Sequence, residues 1–210
     1  MNEYILILDY KVSNLFSISN AMNSIGCNIK VSSRKEDISN ASALILPGVG
    51  SYPKAMKNIK ELELEEEIKK FANSGNQILG ICLGMQLLFN RSLEFVETKG
   101  LSLLKGDILP LSSLKKDICT PHIGWNSVKS TSQSSEALDK EFFNNPYYFV
   151  HSFYVEPEDK SDIFSVTDYD SISFCSSIRK DNIFAMQFHP EKSGKFGINI
   201  LRNFFADLIL

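Results

Sequence analysis

Residues 77–84 read Gln77-Ile78-Leu79-Gly80-Ile81-Cys82-Leu83-Gly84. An apolar strand over 77–81 runs without a loop into a helix over 83–89, with a cysteine at the bend. Such an elbow forces the bent residue into a strained backbone conformation and brings backbones close. Gly80 and Gly84 remove the side chains that would clash there. A thiol on the bend stands at a helix N-terminus, where the dipole favours thiolate.

Upstream of the elbow, strand and helix signals alternate. Strands are predicted over 4–8, 28–31 and 43–46. A helix over 14–25 carries Leu15, Ile18, Met22 and Ile25 along one face, and Gly26 stops it. A charged helix over 58–73 sets Glu65–Lys69 and Glu66–Lys70 pairs at i,i+4 on its solvent face. This alternation predicts an α/β fold: an open, mostly parallel, flavodoxin-like central sheet with helices on both faces. Downstream the pattern changes. Short strand-like runs at 127–129, 147–150, 163–166, 172–178 and 183–187 predict added antiparallel strands in the second half. The polar stretch 130–135 reads as a surface loop. A closing amphipathic helix over 196–210 aligns Ile198, Leu201, Phe205 and Leu208.

The 210 residues and 43% hydrophobic content suit one domain over 1–210 with its own core. The formal net charge is −3 and no Lys/Arg cluster is dense enough for a nucleic-acid footprint, so no nucleic acid is expected as partner. Cys27, Cys82, Cys119 and Cys175 are scattered, with neither a C-x-x-C pair nor metal-ligand spacing, and no metal or cofactor is expected. The N-terminal segment lacks a basic signal region, and its apolar run is too short to span a membrane. A cytoplasmic location with reduced thiols is the expectation, with Cys27, Cys119 and Cys175 as small buried hydrophobes.

In open α/β sheets the working residues gather at the carboxyl ends of the strands. Asp9, the Pro47-Gly48-Val49-Gly50 turn and Cys82 all fall at such ends. A second segment, Phe188-His189-Pro190-Glu191, offers a histidine and a carboxylate two residues apart, which on a strand would share a face. Cys82 as nucleophile, His189 as general base and Glu191 as orienter make a set for acyl transfer. The N–H of Leu83 is one oxyanion donor, and the 47–50 turn is the natural source of another. Glycines at 48 and 50 let the peptide at Val49 flip at low steric cost.

Five motifs occur in order: Pro47–Gly50, Gly80-Ile81-Cys82-Leu83-Gly84-Met85-Gln86, Pro121-His122-Ile123-Gly124-Trp125-Asn126, Tyr148-Phe149-Val150-His151-Ser152 and Phe188-His189-Pro190-Glu191-Lys192-Ser193. Together they resemble the class I glutamine amidotransferases, and most specifically the glutaminase subunits of imidazole glycerol phosphate synthase. The resemblance implies hydrolysis of L-glutamine by a Cys82–His189–Glu191 triad, and passage of ammonia to a (β/α)8 cyclase as heterodimer partner. It implies glutamine contacts from Gln86, Ser152 and Phe153, and a partner-facing role for Asn14, Trp125, Asn126 and Lys192.

The family usually has Asp-Tyr-Gly-x-Gly-Asn after the first strand, whereas this chain has Asp9-Tyr10-Lys11-Val12-Ser13-Asn14. The loss of both glycines leaves open a second acceptor, a sugar amidotransferase of surface polysaccharide synthesis. A non-catalytic regulatory or interaction member of the fold is the reading from another class.

Overall fold

A computed structural model describes residues 4–131 and 142–209. Its first half comprises β1 (Ile5–Leu8), α1 (Leu15–Ser24), β2 (Ile29–Ser32), α2 (Lys35–Ser39), β3 (Ala43–Leu46), α3 (Tyr52–Glu61), α4 (Glu65–Asn73), β4 (Gln77–Ile81) and α5 (Leu83–Leu87). The short strands β5 (Arg91–Ser92), β6 (Thr98–Lys99) and β7 (Gly106–Pro110) follow. The second half holds β8 (His122–Ser127), β9 (Lys129–Ser130), β10 (Pro146–His151), β11 (Phe153–Pro157), β12 (Ile163–Tyr169), β13 (Ile172–Lys180), β14 (Ile183–Met186) and α6 (Gly194–Phe204).

Strands β2, β1, β3, β4 and β14 lie side by side in that order, all parallel. This is the flavodoxin-like order. Beyond β14 the sheet continues antiparallel through β13, β11 and β7, with β5 and β6 at the far edge. β8 and β10 form a separate antiparallel ribbon, whose register sets His122 opposite His151.

Alternate strand residues enter two apolar layers. Leu6, Leu8, Leu44 and Leu46 pack with Met56 and Ile59 of α3 and Ile68 and Phe71 of α4. Ile5, Ile7, Ala43 and Ile45 pack with Ile18 and Met22 of α1 and Ile200 and Leu201 of α6. Because helices cover both faces, the parallel strands read as continuous apolar runs rather than alternating ones. Asn14 caps α1 by accepting from the Ser17 N–H at 3.4 Å, and Gly26 ends the turn at φ 84°.

Several sequence expectations need correction. The helix read over 58–73 is two helices. Glu63 takes φ 55°, and the Leu64 N–H donates back to the Ile59 carbonyl, a 6→1 closure that ends α3 without a glycine. Lys70 pairs with Glu67 rather than Glu66, which meets Lys69 instead. On a solvated helix face i,i+3 partners stand as near as i,i+4 ones. The run at 127–129 splits between β8 and β9, and Ser130 belongs to β9, so the expected loop contributes only Thr131, residues 132–135 lying outside the described residues. The closing helix starts at Gly194 and stops at Phe204, with a separate 3-10 turn over Ala206–Leu208. Cys119 is exposed, not buried. Among the described residues no helix is long and apolar enough to cross a membrane.

Candidate active site

The elbow is as tight as its glycines require. Cys82 holds φ 53° and ψ −110°, a conformation that costs a residue with a Cβ about 1–3 kcal/mol. It is fixed from below, where its N–H donates to the Met186 carbonyl at 2.7 Å. A Cβ on Gly84 would collide with the Leu46 carbonyl, so only glycine lets α5 lie against the end of β3. Leu83 begins α5, where first-turn N–H groups have no intrahelical acceptor.

His189 arrives from the end of β14, but not on a strand. Its N–H donates to the Tyr148 carbonyl at 2.9 Å, and Pro190–Lys192 form a 3-10 turn directly after it. The turn, rather than a shared strand face, swings Glu191 back so that Oε1 meets His189 Nδ1 at 2.8 Å. Ser193 braces it, donating to the His189 carbonyl at 2.6 Å and accepting from the Tyr148 N–H at 3.0 Å. Both side chains of the His189–Glu191 pair are at least 95% buried. Burial alone would push the imidazole down. The charge and hydrogen-bonding capacity of the nearby Cys82 sulfur, with Glu191 behind it, outweigh that and raise it to about 10. Nε2 is enclosed, with no hydrogen bond within geometric limits.

The turn after β3 is crowded and partly locked. A Cβ on Gly48 would sit 2.5 Å from the Tyr10 hydroxyl and 2.8 Å from Leu83 Cβ. Gly50 takes φ 110°. The N–H of Val49 does not face the cleft as a free donor, because it donates to the Val12 carbonyl at 3.1 Å. Val12 lies in the loop that departs from the family pattern. There Lys11 holds φ 68°, a conformation suited to glycine, and its N–H and ammonium both bind the Asp9 carboxylate at 2.9 and 2.8 Å. The loop thus keeps a left-handed residue where the glycine has been lost.

A cleft of about 680 Å³ opens over Cys82 and Leu83, bordered by Val49, Gly50, Gln86, Ser152 and Phe153. A smaller cavity of about 240 Å³ near the opposite end of β14 touches none of these residues. Asn14, Tyr148 and Lys192 also line the larger cleft. Trp125 is exposed and stands edge-on to Tyr148, with centroids 5.9 Å apart, and the Lys192 ammonium lies 5.8 Å over the same ring. Asn126 instead turns its amide inward onto His122 Nε2 at 2.8 Å. Gln86 lines the cleft, while its Nε2 is held by the Phe153 carbonyl at 3.1 Å and Gln187 Oε1 at 2.9 Å.

Sequence reasoning missed Glu94, Phe95 and Gln187. Glu94 and Phe95 come from a short edge hairpin with no motif, yet both border the cleft. Burial raises the Glu94 carboxyl, against the opposing hydrogen bond it accepts from the Tyr52 N–H at 2.7 Å. Gln187 directly precedes the Phe-His-Pro-Glu segment, so its position was available, though its orientation was not. Among the described residues, no group of three or more His, Cys, Asp or Glu side chains is placed to hold a metal ion.

The family described as Glutamine amidotransferase class-I matches residues 6–208. The imidazole glycerol phosphate synthase subunit HisH of Aquifex aeolicus is 45% identical over 204 residues, covering 95% of this chain and 94% of that one. The subunit of the same name from Caldanaerobacter subterraneus subsp. tengcongensis is 44% identical over 199 residues, covering 94% and 95%. Among solved structures, PurLQS from Thermotoga maritima superposes with a TM-score of 0.74 at 20% identity, over 99% of this chain and 100% of the other.

Proposed function

The chain belongs to the class-I glutamine amidotransferases, and from that premise we propose that it is a glutaminase acting through Cys82, His189 and Glu191. The observation that carries this reading is the approach of Cys82, left-handed and lining the cleft, to the buried His189–Glu191 pair, which itself does not line that cleft. Cys82 attacks the side-chain amide carbon of L-glutamine, and the carbonyl electron pair moves onto oxygen. Leu83 N–H is one donor for that oxyanion, and Val49 N–H becomes the second once released from the Val12 carbonyl. His189, raised so that it carries a proton at neutral pH, gives that proton to the departing ammonia. The resulting γ-glutamyl thioester is opened by water. His189 takes the water's proton, and the sulfur leaves with its electron pair. Glu191 holds the imidazole tautomer throughout.

The relatives named HisH support the pathway reading: the chain supplies ammonia to a (β/α)8 cyclase subunit making imidazole glycerol phosphate in histidine biosynthesis. We assign it to the cytoplasm, where thiols stay reduced. The exposed rim beside the cleft, with Val49, Phe95, Ile123 and Trp125, suits an apolar partner face, with Asn14 and Lys192 at its edge. The Lys11 and Ser13 replacements give little support to a sugar acceptor, because Lys11 adopts the glycine-like conformation all the same.

The Val49–Val12 hydrogen bond suggests why ammonia would not be released idly. With that N–H engaged, one oxyanion donor is missing. In a well-studied protease the loss of one such donor lowers kcat by roughly two to three orders of magnitude. Isolated-chain turnover is therefore expected to be low, rising on that scale when the cyclase binds its ligand. The test of the whole reading is Cys82→Ala in the assembled synthase. Glutamine-dependent synthesis should vanish while ammonia-dependent synthesis survives. Retained glutaminase turnover would refute the assignment.

A further inference from the structure

Gln187 is used by no step above, yet its amide touches the nucleophile. It follows β14 and is fully buried, with its backbone N–H donating to the Ser176 carbonyl at 2.9 Å. Its Nε2 lies 3.5 Å from Cys82 Sγ, and its Oε1 lies 2.9 Å from Gln86 Nε2. The two ends of an amide have nearly the same shape, so the direction must be fixed by a neighbour whose role is unambiguous. That neighbour is the Phe153 carbonyl, which can only accept. Gln86 presents its NH2 there at 3.1 Å and directs the second hydrogen at Gln187 Oε1. Gln187 must then turn its own NH2 toward sulfur. His151 Nδ1 reaches the same carbonyl at 2.8 Å, so the anchor is held from two sides.

We propose that Gln187 is a further catalytic residue, its side-chain NH2 donating to Cys82 Sγ and holding the sulfur as thiolate, with Gln86 fixing the direction of the amide. The inference rests on Cys82 being the nucleophile. A donated hydrogen bond favours the charged form of its acceptor. The sulfur also faces the His189 imidazole and the Tyr10 hydroxyl, which are the same in Gln187→Met, and a thiol donating to the Val150 carbonyl has only a long 3.9 Å contact. Sulfur is neutral in the thioester and regains its electron pair when water opens it. The Gln187 NH2 is already in place to receive that charge, so the leaving thiolate needs no reorganisation around it.

The test uses the full chain carrying Cys119→Ser, which removes the exposed thiol and leaves Cys27 and Cys175 buried. Iodoacetamide labelling of Cys82 is followed against pH with Gln187 and with Gln187→Met. Glutaminase kcat and KM are measured in the complex with the cyclase subunit. In Gln187→Met the pH of half-maximal labelling is expected to rise by about one unit, the scale of one hydrogen bond lost to a charged acceptor. A shift of that size corresponds to about a tenfold fall in kcat, with KM for glutamine changed by less than about threefold. A purely packing role would lower the melting temperature without moving the labelling profile or kcat, and that result overturns the proposal.

Should Gln187→Met fail to fold, the native chain still decides. With 15N-labelled glutamine residues, the Gln187 side-chain NH2 resonances should follow the ionisation of Cys82 and lose that response in Cys82→Ala. Resonances that stay flat overturn the proposal. Turnover surviving in Cys82→Ala would remove the nucleophile assignment itself. An inactive Cys82→Ala beside an unperturbed Gln187→Met removes only the role of Gln187.

Discussion

Replacing Gly84 with alanine tests whether backbone contact at the elbow sets the catalytic geometry. The added Cβ would overlap the Leu46 carbonyl oxygen and stand 2.6 Å from the carbonyl carbon. Ordinary carbon–carbon contact needs roughly 3.5 Å, so β3 and α5 must part by about 1 Å. Neither side can yield as a flexible side chain would, because both are backbone. Leu46 leads directly into the Pro47–Gly50 turn, and Gly84 follows the nucleophile by two residues. The displacement therefore opens the gap between the Pro47–Gly50 turn and the elbow that carries Cys82 and Leu83. Misplacement by about 1 Å can cost about a hundredfold in rate, and overpacking a tight site costs about 1–3 kcal/mol in stability. Gly84→Ala is expected to fold, melt several degrees lower, and lose about two orders of magnitude in kcat within the complex. KM for glutamine should move far less. Steady-state glutaminase kinetics with a thermal melt make the test. A kcat within threefold of the native value would refute the argument that this contact sets the geometry.

Glu191→Gln removes the charge behind His189 and leaves its tautomer unheld, and a fall of about three to four orders of magnitude in kcat is expected, the scale of the analogous change in a serine-protease triad. A loss below tenfold would contradict an orienting role. Burial pushes His122 down to about 4 and His151 to about 3. Both are held neutral in the fold, so their contribution to stability is present above about pH 6.5 and is lost as pH falls toward those values. Urea unfolding at pH 7 and pH 4.5 should show the native chain losing about 2 kcal/mol more than His122→Gln, and equal losses would count against it. Trp125→Ala is expected to weaken cyclase binding by about ten- to a hundredfold while leaving glutaminase turnover of the isolated chain unchanged. Titration calorimetry reads the affinity, and an unaltered Kd would exclude Trp125 from the interface.

Much of the framework was legible because it depends on local rules. The apolar runs at 5–8, 43–46 and 77–81 could be buried only between two helical layers. Gly80 and Gly84 around Cys82 announced an elbow, since no other residue tolerates such close backbones. Less was legible where several local choices cost nearly the same. The break at Glu63 is one case, because a glutamate in a left-handed conformation carries no sequence mark. The short strands β5 to β7 were missed for a related reason, as a few residues pair only when a neighbouring edge is presented.

For the candidate site, Cys82, His189 and Glu191 could be proposed from residue type and motif alone, together with the strand ends they approach. Nucleophilicity, basicity and conformational freedom belong to residue types, and strand ends are marked by turn residues. The directions of these side chains come from the packed fold. It closed Glu191 onto His189 through a 3-10 turn, engaged the Val49 N–H with Val12 and aimed Gln187 at Cys82 through a carbonyl over thirty residues away in the chain. Hydrogen bonds depend on distances of a fraction of an ångström between segments remote in sequence, and only the packed core brings those segments together and fixes them.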